Sequence, residues 1–171
     1  MEYSKRFNQQ WQRLIDEFTS YFVAYSNYGY DMKKLNSWYK DNTFRWKSIV
    51  SVEGELLASQ DGSMKDKLLS EMEKFSFKKV NGLKKPNFLF YLVPSLILGI
   101  VGGIGASKFF DFSAILSAVV GIGITLAGIV LYAKNLNAHD IKQKKYLCDE
   151  YAEQLKKHGK VLCDVCKKYE M

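Results

Sequence analysis

Residues 88–133 read FLFYLVPSLILGIVGGIGASKFFDFSAILSAVVGIGITLAGIVLYA, and of these side chains only Lys108 and Asp111 carry charge. The rest of the 171-residue chain is strongly polar. The 87 residues before the block hold 15 Lys/Arg against 11 Asp/Glu and the 38 after it hold 9 against 6, which accounts for the net charge of +7. A soluble domain of this length disperses its apolar residues through one globule; here they gather into two runs, each long enough to cross a bilayer. Phe88–Ala106, 19 residues rising about 1.5 Å each, spans roughly 28 Å, close to one hydrocarbon core. Phe112–Ala133 has 22 uncharged residues and ends at Tyr132 and Lys134, a ring and an ammonium group suited to the headgroup level. The expected fold class is all-α: a membrane protein with a two-helix transmembrane hairpin and a cytoplasmic helical bundle or coiled coil. The competing arrangement, a hairpin buried in a soluble core, requires about 125 largely polar residues to cover two apolar helices on every side. With two prolines, no Ser/Gly linker and no low-complexity tract, collagen-like, disordered and disulfide-scaffold classes are excluded.

Only Ser107–Asp111 separates the runs, so the helices turn back at once and both flanks share one side of the membrane. Lys78, Lys79, Lys84 and Lys85 precede the hairpin and Lys134, Lys142, Lys144 and Lys145 follow it, while the turn has one Lys beside one Asp. The positive-inside rule then places both termini in the cytoplasm of a multi-pass inner-membrane protein. The N-terminus has no apolar stretch of signal-peptide length, so no cleaved signal is expected. Three cysteines, an odd number, agree with a reducing compartment.

The hairpin interior holds no Asp, Glu, Lys, Arg or His, the residues that proton relays and ion-coupled transport need at membrane depth. It holds glycines instead, with small-xxx-small pairs at Gly99/Gly103, Gly102/Ala106, Ser117/Gly121 and Gly123/Ala127. These let helices approach closely, either within the hairpin or between subunits. Pro94 removes a backbone donor from the first helix. Ser95, Ser117 and Thr125 supply the few hydroxyls able to line a conduit.

Working outward, three regions follow: residues 1–85, a heptad-patterned, aromatic-rich helical region; 86–134, the hairpin; and 135–171, an amphipathic helix. Phe7, Trp11, Leu14, Phe18, Tyr21, Tyr25, Tyr28, Met32, Leu35 and Tyr39 recur in strict steps of four and three, and Trp46 and Ile49 continue the phase. Gly29 divides this seam into helices over about 3–28 and 31–59. Asp61-Gly62 marks a turn, and Ser63 with Asp66 starts a third helix that ends near Asn81-Gly82. After the hairpin, Leu147, Tyr151, Leu155, His158, Leu162, Val165 and Tyr169 trace a matching stripe, so the second membrane helix runs on as one rod. An intramolecular bundle between the two stripes is one use of the aromatic seam. The other is a basic, aromatic groove for a nucleotide or oligonucleotide, with Tyr21, Tyr25 and Tyr28 stacking beside Lys33, Lys34 and Arg45.

Cys163-Asp-Val-Cys166, with Cys148 and His158, offers zinc ligand types, but on one continuous helix Cys148 lies more than about 20 Å from Cys163, so a site would require Gly159 to break the helix. No Walker loop, dinucleotide fingerprint, nucleophile elbow or HExxH occurs. No enzyme, catalytic residue, metal or cofactor is expected.

The hairpin, its short Ser107–Asp111 turn and the cationic helix after Lys134, about half of the chain, together resemble the SLATT family of prokaryotic two-transmembrane effectors. The resemblance implies an oligomer that opens a pore in the inner membrane of an infected cell when a partner enzyme supplies or removes a signal, in nucleotide-triggered antiviral defence. Two uncharged helices enclose no conduit alone, so a pore requires a ring of three or more subunits with a hydrophobic constriction gated by dewetting. The expected function is therefore an oligomeric effector, a gated pore or ion channel in membrane lipid, controlled by a ligand or a cytosolic regulatory protein at its helical region. The alternative is a non-conducting, hairpin-anchored scaffold that presents a helical bundle to cytosolic partners, as bilobed inclusion-membrane proteins do. A phage holin fits less well, because about 125 extramembrane residues exceed what a simple lesion-former needs.

Overall fold

The computed structural model describes residues 3–25, 31–43, 62–110 and 113–168, and every regular element among them is helical. In chain order these are α1, Tyr3–Tyr25; α2, 32–43; α3, Gly62–Lys74; α4, Leu89–Phe109; and α5, Ala114–Lys168. They form two compact units, Met1–Asn81 with Lys144–Met171, and Gly82–Gln143.

The first unit is the intramolecular bundle. In α1 the buried side chains are Phe7, Trp11, Leu14, Ile15, Phe18 and Phe22. That stripe is wider than a coiled-coil seam, and it suits a helix covered by several neighbours. α2 begins where the Asp31 carboxylate accepts a hydrogen bond from the Lys33 backbone N–H at 2.9 Å, an N-cap that satisfies one orphan donor. It contributes Leu35, Trp38 and Tyr39, α3 contributes Leu68 and Met72, and the last part of α5 contributes Leu147, Tyr151, Leu155, Leu162 and Cys166. Rings dominate the centre: Phe18 lies 5.1 Å from Trp38 and 5.3 Å from Phe77, and Phe22 lies 5.8 Å from Tyr151. Each buried ring is worth about 1.5–3 kcal/mol of transfer free energy. Tyr39 satisfies its polar tip by donating its hydroxyl to the Met72 carbonyl at 3.0 Å.

The third helix stops at Lys74 rather than near Asn81-Gly82. Phe75 and Phe77 both turn toward the core with Ser76 exposed between them, an alternation an extended chain satisfies and a helix does not. Gln154 fixes this strip by accepting from the Lys78 N–H (2.8 Å) and donating to the Lys78 carbonyl (3.0 Å). Of the sequence-based helix over 31–59, residues 44–59, with Trp46 and Ile49, lie outside the described residues.

The second unit is a helical hairpin, and its first helix runs further than the sequence suggests. α4 continues through Ser107, Lys108 and Phe109, and Ser113 starts the return with its backbone carbonyl accepting from the Ser117 N–H at 3.0 Å. Both helices are long and apolar enough to cross a membrane, and only 17% and 11% of their most apolar stretches are buried. Phe90 is 80% exposed and Ile115 79%. A soluble core helix is mostly covered; these are covered only where they touch each other.

Candidate functional site

The seam of the hairpin is where most of the singled-out membrane residues meet. Its closest approach is glycine against glycine. A methyl group on Gly99 would stand 2.5 Å from Thr125 Oγ1 and 2.6 Å from the Gly121 carbonyl oxygen; one on Gly121 would stand 2.8 Å from the Gly99 carbonyl oxygen. Relaxed carbon contacts are about 3.5–4.0 Å, so these positions admit no side chain unless the helices part. Gly103 is nearly as tight, 3.0 Å from the Ser117 carbonyl oxygen, and Gly128 receives the Ser95 side chain. The pairs 95 with 128, 99 with 121 and 125, and 103 with 117 step along the helices in opposite directions, as an antiparallel contact must.

Gly123 and Gly105 are different, because a methyl group on either meets nothing within 4 Å. Gly123 and Ala127 are both exposed on one face of α5. The small-xxx-small pairs therefore divide into those that seal the hairpin and one that faces away from it.

The hydroxyls belong to the seam as well. Thr125 donates to the Gly121 carbonyl at 3.0 Å, and Ser95, next to Pro94 in α4, donates to the Tyr91 carbonyl at 2.7 Å. Ser117 is buried, with no partner for its Oγ among the described residues. Beside this line of contacts runs an apolar groove of about 640 Å³, floored by Gly99, Gly103 and Gly121 and walled by Leu96, Ile100, Ile104, Ile122 and Leu126.

The residues singled out for ligand binding in the bundle fare differently. Tyr21 is partly buried and its ring stacks on Trp38 with centroids 5.6 Å apart, so one face of it is used in packing. Lys33 and Lys34 are exposed on α2. Tyr28 and Arg45 lie outside the described residues, and of Tyr25 only the helical backbone is described. Among the described residues no group of three His, Cys, Asp or Glu side chains is placed to hold a metal ion. α5 runs unbroken through Gly159, and the Cys163 thiol donates to the Ser4 carbonyl at 3.7 Å.

His158 carries chemistry that the heptad stripe does not reveal. Its ring stacks on Phe75 at 4.6 Å and meets the edges of Trp11 and Tyr39, and its Nε2 is buried without a hydrogen-bond partner among the described residues. A groove of about 670 Å³ opens beside it, edged by Glu71, Lys74, Lys78, Glu150 and Lys157. Burial pushes the His158 pKa down to about 4, against the opposing pull of the Glu71 carboxylate. The Lys74 ammonium, 2.6 Å from that carboxylate, holds Glu71 below its usual range. Below pH 6.5 the unfolded chain takes up a proton that the folded bundle refuses, so stability is full above that pH and falls as pH drops toward 4. At pH 5 the expected loss relative to pH 7.5 is about 2 kcal/mol. Urea unfolding followed by circular dichroism checks it: His158→Phe must remove this part of the pH dependence, and an unchanged pH profile in that variant refutes the assignment.

No family model, no curated protein and no solved structure matches this chain.

Proposed function

We propose that the chain is an oligomeric effector of the inner membrane, its hairpin spanning the bilayer and its bundle on the cytoplasmic side acting as the controlling element. The observation that carries this reading is α5 itself. Over 114–133 it is apolar and largely bare, and over its last turns it is built into the core of the bundle, with no break between. A ligand or partner that alters the bundle thus acts on the same covalent helix that the membrane holds, which a passive anchor does not require. The uncovered apolar surface of both hairpin helices supports membrane residence, since water would otherwise meet two long apolar stretches. In such a ring the conduit is lined by the outward apolar faces, because the Ser95 and Thr125 hydroxyls are turned to carbonyls of their own helices and Ser117 is buried; it is a hydrophobic gate that stays shut until widened. Antiviral defence, with a nucleotide-type signal, is the setting the SLATT-like arrangement suggests.

One observation favours the second reading, a non-conducting anchor that presents the bundle to cytosolic partners. Gly99, Gly102, Gly103, Gly121 and Gly128 all press against the opposite helix, so most of the glycine content is used within one hairpin. Gly123 with Ala127 then separates the two. Gly123→Leu leaves the seam untouched; for an assembled pore it is expected to shift the oligomer mass toward that of the monomer and to lower the conductance at least tenfold, whereas an anchor is indifferent. Vesicle leakage and single-channel recording on the reconstituted full chain, with the oligomer mass measured in the same preparation, provide the test. Stepwise conductance from a discrete trimer or larger ring supports the effector. A monomer or dimer that inserts without leakage, even with cell lysate added, transfers the assignment to the anchor.

A further inference from the structure

The end of the hairpin unit remote from its turn is a built rim. The bare apolar surface stops at a ring cluster: Phe88 packs edge-on to Tyr132 at 5.0 Å, Tyr91 lies 5.6 Å from Tyr132, and Asn135 donates to the Tyr91 hydroxyl at 3.0 Å. Just beyond, two segments of chain converge. Gly82 packs against the Gln143 side chain so closely that a methyl group there would stand 2.6 Å from Nε2, and the Leu83 carbonyl lies 3.4 Å from His139 Nε2. This contact holds Lys84 and Lys85 against the stretch of α5 that bears Lys134 and Lys142, eight residues or about 12 Å apart along the helix. All four lysines are exposed, and none has a carboxylate partner among the described residues. The one nearby acid, Asp140, sits 3.3 Å from His139 Nδ1. At the opposite end the only cation is Lys108.

We propose that this rim is a binding site for the headgroups of anionic glycerophospholipids. Four uncompensated ammonium groups directly above an aromatic belt match a phosphodiester anion held at the depth where its acyl chains lie on apolar helix surface. A zwitterionic choline headgroup offers the same phosphate but brings its own cation into the lysine field, so the site discriminates between the two. Each lysine near an anionic surface contributes roughly fivefold to such a preference.

The proposal rests on the membrane reading, and the two are tested separately. The 171-residue chain reconstituted into vesicles of phosphatidylcholine alone, then washed with high salt and alkaline carbonate, tests insertion; complete extraction overturns the membrane reading. Native mass spectrometry of detergent-solubilised protein given equal phosphatidylglycerol and phosphatidylcholine then counts retained lipids. The expected result is a preference for phosphatidylglycerol of at least about tenfold, reduced to within about twofold of unity in the Lys84→Gln, Lys85→Gln, Lys134→Gln, Lys142→Gln variant and unaffected by Lys108→Gln. Excess glycerol phosphate must not displace the lipid, which separates a headgroup site from a site for soluble phosphate. Equal retention of both lipids, a preference untouched by the fourfold variant, or displacement by glycerol phosphate overturns the proposal while leaving insertion intact.

Discussion

Gly121→Leu drives α4 and α5 apart and abolishes whatever the closed hairpin does. The first added carbon meets the Gly99 carbonyl oxygen at 2.8 Å, and three more carbons follow it into a space already filled by backbone. Overpacking a core by a few carbons commonly costs about 1–3 kcal/mol when side chains can shift; here the obstruction is main chain on both sides, and the cost lies at or above that range. A ranking follows from the contacts alone. Gly99→Leu should match Gly121→Leu, Gly103→Leu should be milder because its nearest obstruction is 3.0 Å away, and Gly123→Leu should leave the hairpin closed. Fluorophores placed by non-canonical amino acids at the exposed positions Phe90 and Val130 report the separation directly. Gly121→Leu is expected to lengthen the distance by several ångströms and broaden its distribution, with conductance lost in the same preparation. If Gly123→Leu opens the hairpin as far as Gly121→Leu does, the assignment of the seam is wrong.

That ranking also marks where reading the sequence stops. The two apolar runs were legible because absence of charge over about 20 residues is a one-dimensional signal. The seam was not: Gly99/Gly103 and Gly123/Ala127 are the same pattern on paper, and only contact with the second helix separates a sealed pair from an open one. In the bundle, the heptad steps located Phe7, Trp11, Leu14, Phe18, Leu35 and Tyr39 correctly as buried positions. They missed Ile15, Phe22 and Trp38, which a strict two-position seam leaves on the flank and a helix covered from several sides draws inward. The third helix is read too long because Asn81-Gly82 has the composition of a helix end, whereas the helix stops at Lys74; Phe75-Ser76-Phe77 is the alternation that marks the earlier stop. Tyr21 looked available for stacking because an aromatic residue at a heptad position reads equally as core or as platform. In the structure the Tyr21 ring stacks on Trp38, a residue outside the seam.

Trp11→Ala is expected to remove about 3–5 kcal/mol from the bundle, the range for deleting a large buried ring. Trp11 is 2% exposed, stacks on Phe7 at 5.9 Å, and donates its indole N–H to the Leu155 carbonyl at 2.9 Å. That bond ties α1 to α5 across 144 positions of sequence. The ring reaches the carbonyl because the next turn of α5 carries Gly159: a methyl group there would overlap the indole Cδ1 and Nε1. Glycine inside a helix ordinarily weakens it by about 1 kcal/mol relative to alanine. Gly159→Ala in the native chain should nevertheless destabilise, because the methyl expels the indole from its notch and breaks the bond to Leu155. In the Trp11→Ala background the notch is empty, the clash is gone, and the same substitution should stabilise by up to about 1 kcal/mol. The double-mutant cycle therefore predicts a change of sign, a stronger demand than a magnitude. Circular dichroism of the full chain in detergent through thermal and urea unfolding gives the four stabilities without depending on tryptophan fluorescence. Additive effects of the two substitutions, or a Gly159→Ala chain more stable than the native one, would show that Trp11 and Gly159 do not form a lock and that α1 is held to α5 by the apolar stripe alone.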